Sequence, residues 1–204
     1  LTSEVKGFSS DHYKFYNLAA GTTISELASD YLQDQWMSYF ARMNYTLKGR
    51  YLFTVTGRYD GSSRLAEGHR WKFFPSAAVG WRITEEDFMQ SVDWVNNLKL
   101  RLSYGLSGNN SNVSPYMTST NVENLYYVFG GGTPTTASII SNMANRSLSW
   151  ETTKEWNLGL DFSFLGGRIS GSVDLYNRRT DNILMDRVMS RLNGFDSVID
   201  NVGV

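Results

Sequence analysis

The stretch Leu98-Lys99-Leu100-Arg101-Leu102-Ser103-Tyr104-Gly105-Leu106-Ser107 alternates apolar and polar or small residues without a break. Successive side chains of an extended chain point to opposite faces. The four leucines between Leu98 and Leu106 that share this parity with a fifth partner, Tyr104, therefore line one face, and Lys99, Arg101, Ser103, Gly105 and Ser107 line the other. One such run is weak, but the pattern recurs on both sides of it. Over 37–48, Met37, Tyr39, Ala41, Met43, Tyr45 and Leu47 oppose Ser38, Arg42, Asn44, Thr46 and Lys48. Over 51–60, Tyr51, Phe53, Val55 and Tyr59 oppose Thr54, Thr56, Arg58 and Asp60. Trp156, Leu158, Leu160, Phe162 and Phe164 oppose Glu155, Asn157, Gly159, Asp161 and Ser163, and Ile169, Val173 and Leu175 oppose Ser170, Ser172, Asp174 and Tyr176. Residues 73–83 repeat the rhythm less strictly. The periodicity predicts six strands of about ten residues, long enough to cross a bilayer when tilted.

The connections carry a second regularity. Lys48-Gly49-Arg50 and Gly166-Gly167 read as tight hairpin turns. The link 84–96 is longer than these turns, and its Thr84-Glu85-Glu86-Asp87 opening predicts a helix N-cap with acidic residues in the first turn. Segments 61–72, 108–149 and 181–200 are longer and polar or rich in Gly, Ser and Asn. Short and long links thus alternate, as in antiparallel outer-membrane barrels with short periplasmic turns and long outer loops. A soluble β-sandwich also alternates, but its strands are nearer about five or six residues. The fold class expected is all-β, an antiparallel transmembrane barrel segment, with residues 1–35 as an outer loop region and 36–204 as barrel wall.

Composition agrees with many strands. The 204 residues carry a formal charge of −1, with 14% aromatics, 18 Gly and only 3 Pro. That balance gives no reason to expect nucleic acid and shows no basic tract for a membrane surface. Without cysteine there is neither a disulfide framework nor a thiolate metal site. No apolar run approaches the roughly 18 residues of a membrane helix. The chain opens on Leu1 with no visible signal peptide, so the expectation is either that such a segment was removed or that these residues are internal to something longer. Asn201-Val202-Gly203-Val204 reads as the first steps of a strand with no partner left to follow. Tyr45, Tyr51, Trp81, Trp94 and Phe164 fall near the short-turn ends, and Trp36, Phe73 and Trp150 near the long-loop ends. Rings with one polar atom suit the two membrane interfaces, so these residues are expected as aromatic belts.

The ordered blocks Arg42-Met43-Asn44-Tyr45, Arg50-Tyr51-Leu52, Asp60-Gly61-Ser62-Ser63-Arg64, Phe74-Pro75-Ser76, Gly80-Trp81-Arg82-Ile83, Asn97-Leu98-Lys99-Leu100-Arg101, Ser103-Tyr104-Gly105, Trp150-Glu151, Asn157-Leu158-Gly159-Leu160-Asp161, Tyr176-Asn177-Arg178 and Asn201-Val202-Gly203 resemble the SusC/RagA family of TonB-linked outer-membrane transporters of Bacteroidetes. The match runs from about residue 36 to the end. The resemblance implies a barrel of about 22 strands plugged by an N-terminal domain. It also implies a SusD-like surface lipoprotein as partner, TonB as the source of drive, and an oligosaccharide or peptide as cargo. Plug, TonB-contacting stretch and closing strand are absent from these residues. Six strands are fewer than the roughly eight of the smallest single-chain bacterial barrels, so the rest of the same barrel, and outer-membrane lipid, are expected partners.

Ligand contact is expected from the long outer segments. Tyr116, Tyr126, Tyr127 and Phe129 precede Gly130-Gly131-Gly132 and can stack on sugar rings or dock a lid protein; packing of the loop by its own aromatics is the plainer alternative. The glycine triplet lacks the context of a phosphate loop. Asp60 and Arg64 can hold sugar hydroxyls or a peptide terminus, but pinning the rim turn through charge-assisted bonds is the better reading. No cofactor, metal site or catalytic group is expected. His12 and His69 are the only histidines, both in outer segments without metal-ligand spacing. A surface hydrolase using one of them, and a passive pore or adhesin-like barrel, are the alternatives in other functional classes. Glu151, Glu155 and Asp161 are expected to face the lumen.

Overall fold

The computed structural model describes residues 2–8, 22–28, 31–128, 130, 132 and 135–203. It divides between Gln33 and Asp34 into two units. In the first, β1 (Thr2–Lys6) and β2 (Thr23–Ala28) form an antiparallel hairpin with a bulge between Glu4 and Val5. The Thr22 amide donates to the Lys6 carbonyl at 3.0 Å at its mouth. The segment expected as a loop therefore contains a hairpin; His12 lies outside the described residues.

The second unit contains β3 (Trp36–Leu47), β4 (Tyr51–Ser62), β5 (Trp71–Arg82), β6 (Val95–Asn109), β7 (Val122–Tyr127), β8 (Thr135–Ile140), β9 (Glu151–Phe164), β10 (Ile169–Asp181), β11 (Ile183–Val188) and β12 (Ser197–Val202). Six of them make one antiparallel sheet in the order β10-β9-β6-β5-β4-β3. These are the six strands read from the alternation. Most run further toward the long segments than expected, to 12–15 residues. At about 3.3 Å per residue, they exceed what a tilted crossing needs and stand above it at the outer end.

Register explains why the alternation had to be so regular. Tyr45, Phe53, Val79, Leu102, Leu158 and Leu175 are cross-strand neighbours in one row spanning the whole sheet. One residue away, Asn44, Thr54, Ala78, Ser103, Asn157 and Tyr176 form the row of the opposite face. A slip of one residue in any strand would move its entire apolar set to the polar face. The tight turn after β3 holds that register. Lys48 and Gly49 both have positive φ (50° and 72°), and the Arg50 amide donates to the Leu47 carbonyl at 3.1 Å. This is the mirror-image turn whose twist matches the strands, with glycine where positive φ is least strained.

The apolar face is not where the buried core lies. Among the described residues the core is a cluster at the outer end: Leu65, Ala66, Phe74, Val113, Leu148, Trp150 and Leu184. Trp150 sits edge-on to Trp36 (centroids 5.1 Å apart) and to Phe74 (5.5 Å). Its indole N–H donates to the Arg70 carbonyl at 2.9 Å. Trp150, expected in the aromatic belt, is 1% exposed and belongs instead to this core. Its one polar atom is satisfied by a backbone carbonyl, so it needs no interface.

Three further expectations are corrected. Residues 83–89 form two short 3-10 turns, Ile83–Glu85 and Asp87–Met89, not a helix capped by Thr84; their N-caps are Arg82 and Glu86, and neither uses a side-chain cap bond. The Glu86 carboxylate turns instead to Arg50, Tyr51 and Trp81. Asn201 and Val202 end β12, paired with β11 as Leu184↔Asn201 and Ile183↔Val202, so they do have a partner. Gly61 lies inside β4, opposite Trp71 in β5, and not in the rim turn. The long segment 108–149 also has internal structure, the hairpin β7–β8.

Candidate functional site: the polar face and the outer rim

The polar face is a lattice of charges held by neighbouring strands. Arg101 on β6 donates to Asp161 through Nε and Nη2, both at 2.8 Å, and its Nη2 reaches Asp174 on β10 at 3.2 Å. The residue between them is Gly159: Arg101, Gly159 and Asp174 are in one cross-strand row. A Cβ at 159 would stand 2.7 Å from both Arg101 Nη2 and Asp174 Oδ1. Glycine there lets one guanidinium span three strands. Arg178 pairs with Glu155 at 2.6 Å, and Arg42 donates to Thr56 at 3.2 Å. Glu151 accepts from Asn109 and from the Leu184 amide. A face so charged suits a water-filled lumen, and the opposite face, which exposes Tyr45, Val79, Leu102 and Leu175, suits hydrocarbon.

Asp60 and Arg64 occupy the rim but do not meet each other. Asp60, 1% exposed, accepts from Ser38 at 2.5 Å and lies 2.7 Å from Arg58 Nε, an ion pair without hydrogen-bond alignment. Arg64 grips Asp34 through Nε (3.1 Å) and Nη2 (3.0 Å) and donates to the Val113 carbonyl at 3.3 Å. It ties the start of the second unit to the segment after β6. Tyr126 and Tyr127 stand exposed as successive residues of β7, and Tyr116 is at a turn with φ 69°. Phe129 lies outside the described residues. His69 is exposed on the rim, and no group of three or more His, Asp or Glu among the described residues is arranged to hold a metal ion.

The short-turn end holds a constellation that the sequence reading missed. Glu86, nearly buried, accepts from Tyr51 Oη at 2.7 Å and from Trp81 Nε1 at 2.8 Å on one oxygen, and from Arg50 at 2.6 Å on the other. Arg50 also reaches Asp87 at 3.1 Å. The Tyr51 and Trp81 bonds, reinforced by Arg50 and opposed by burial, hold the Glu86 carboxyl below its ordinary range. Glu86 in turn raises the Arg50 guanidinium above its own. The cluster fastens the link after β5 to the β3–β4 hairpin. Its only sequence signal was that Tyr51 and Trp81 become cross-strand neighbours once the register is known.

A two-faced antiparallel sheet with a charged inner face, an apolar outer face and long segments at one end only defines the wall of an outer-membrane β-barrel. The chain belongs to the TonB-dependent receptor-like β-barrel family, whose model matches residues 3–204. It is 37% identical over its full length to TonB-dependent receptor P26 of Formosa agariphila, covering 20% of that protein. Over 72% of its length it is 45% identical to TonB-dependent receptor SusC of Bacteroides thetaiotaomicron, covering 15%. It superposes on a structure of the RagAB peptide transporter with a TM-score of 0.80 at 31% identity, over 97% of this chain and 21% of that one. The chain therefore spans about one fifth of the length of the curated relatives it matches.

Proposed function

We propose that this chain is part of the wall of a TonB-dependent importer that carries an oligosaccharide or a peptide across the outer membrane beneath a SusD-like surface lipoprotein. The observation that supports it most is the pairing of a charge-lined face with an apolar face in a chain of this family. β3 and β10 each have a sheet partner on one side only among the described residues. In lipid, open strand edges leave backbone groups unsatisfied at several kcal/mol each, so the remainder of the barrel completes this wall. Residues 36–204 are wall and rim, and residues 1–35 an outer segment. Substrate or lipoprotein contact is assigned to Tyr116, Tyr126, Tyr127 and Phe129. Asp60 and Arg64, whose charges are taken up by Arg58, Ser38 and Asp34, hold the rim beneath that contact.

The test is uptake of labelled oligosaccharide and peptide pools by cells that carry or lack the gene for the complete protein, with and without a proton uncoupler. Uptake of one pool should disappear with the gene and with the uncoupler. Entry that survives uncoupling would assign a passive pore instead.

A further inference from the structure

Most arginines of the wall and rim are committed to carboxylates: Arg58 to Asp60, Arg64 to Asp34, Arg101 to Asp161 and Asp174, Arg178 to Glu155. Two at the outer rim are not. Arg70 and Arg146 line one open depression of about 710 Å³ together with Thr118, Ser119, Thr120 and Glu67. Among the described residues neither guanidinium has a carboxylate within 4.0 Å; the one bond of the Arg70 side chain is from Nε to the Leu65 carbonyl at 3.3 Å. That bond engages Nε alone, and among the described residues the outer N–H groups of Arg70 make no hydrogen bond. Glu67 is on the same wall and pairs with neither arginine.

The depression is built rather than incidental, because its three segments are fastened to one another from beneath. The Arg70 carbonyl accepts from Trp150 Nε1 at 2.9 Å and from the Ser62 amide at 3.1 Å. The Ala66 amide donates to the Leu148 carbonyl at 3.0 Å, tying the Arg70 loop to the strand lead-in beside Arg146. Asn142 donates to the Ser119 carbonyl at 3.0 Å and accepts from the Asn121 amide at 2.6 Å, and the Asn145 amide donates to Met117 at 3.2 Å. The hydroxyl run 118–120 is thus held against the segment that carries Arg146. Two cations, three hydroxyls and a rigid floor are the inventory that binds a planar or tetrahedral oxyanion.

From these observations we infer that the outer rim carries an oxyanion-binding site, formed by Arg70, Arg146 and the hydroxyls of Thr118, Ser119 and Thr120, that takes a carboxylate, sulfate or phosphate group. The group belongs either to the cargo or to an anionic lipid of the surrounding leaflet. The cargo source rests on the importer reading; the site itself does not. Glu67 opposes the bound charge and sets its strength.

The experiment uses the complete receptor in detergent. Arginine-selective labelling by phenylglyoxal is followed by peptide mass mapping, with sodium sulfate against sodium chloride at equal ionic strength. Sulfate should slow labelling of Arg70 and Arg146 and leave that of Arg168, in the turn before β10, unchanged. Loss of one charge-assisted contact, as in Arg146→Gln, should weaken sulfate protection of Arg70 about tenfold, and Glu67→Gln should strengthen it. Two further titrations identify the source. Protection by a tripeptide with a free C-terminus but not by its amide supports a cargo carboxylate, and protection by phosphatidylglycerol in the micelle supports a lipid phosphate. Equal protection of Arg168, no protection by any of the three probes, or weaker protection in Glu67→Gln would overturn the site. Sulfate protection of both arginines in a receptor whose gene can be removed without loss of uptake would count against the importer reading alone.

Discussion

The two ends of this wall are held by opposite chemistry. At the short-turn end, a single carboxylate, Glu86, gathers a phenol and a guanidinium from the β3–β4 hairpin and an indole from β5. At the outer end, Trp150 and six apolar neighbours form a dry cluster. Between them the sheet has no core of its own, because lipid supplies the apolar surroundings of one face and water those of the other. A barrel wall needs a packed core only where long segments leave the membrane and must be held above it. It needs a polar clasp only where a short link would otherwise swing free at the opposite interface. The difference shows that burial within the chain is a poor guide to what matters in such a wall: Leu102 is 53% exposed and Trp150 is 1% exposed, yet both sit in apolar surroundings.

The sharpest way to break the comparison is at the outer core. Trp150→Ala should cost about 3–5 kcal/mol, the range for truncating a large buried aromatic, and the loss should be confined to the rim. Limited proteolysis of the complete receptor should cut within 108–149 while the barrel still migrates as a folded species on an unheated gel. A barrel that fails to assemble would mean that the cluster supports the whole wall. The next largest effect is predicted for the middle of the sheet. Leu102→Lys places a charge on the lipid face and should destabilise by about 2–4 kcal/mol near the midplane, whereas Ser103→Lys on the lumen face should be nearly neutral. Urea titration of the two variants in bilayers measures the difference; equal effects would contradict the assignment of faces.

The smallest effect is expected at the short-turn clasp, and its sign follows from linkage. The folded-state pKa of Glu86 is lowered. Its contribution is therefore fully present above the ordinary carboxylate range and is lost as pH falls through the lowered folded value. Thermal unfolding of the complete receptor should become easier on acidification, and Glu86→Gln should remove that part of the pH dependence while leaving the rim's protease resistance unchanged. A pH profile identical in wild type and Glu86→Gln would show that the carboxylate is not what fastens this end.

Much of the wall was readable in one dimension because a membrane strand has a period of two and no interior to complicate it. The runs 37–48, 51–60 and 98–107 placed β3, β4 and β6, and Lys48-Gly49 placed the turn. What escaped depended on neighbours that register alone brings together. Thr84-Glu85-Glu86-Asp87 has the composition of a helix start, and nothing local reveals that Glu86 is drawn to Tyr51, a residue 35 positions earlier. Trp150 has the composition of a belt residue, and only its contacts with Trp36 and Phe74 make it core. Arg70 and Arg146 stand 76 positions apart (146 − 70), and no motif links them.

Alternation and the asymmetry of its links determined that this chain is membrane wall, which face meets lipid and which end carries the long segments. Each of those follows from backbone geometry and from the solvent on either side. The tertiary structure alone decided which polar groups answer one another: Glu86 with Tyr51 and Trp81, Arg101 across Gly159 to Asp174, Arg70 beside Arg146. Such pairings act over a few ångströms in space and leave no periodic trace along the chain, so only the folded arrangement reveals them.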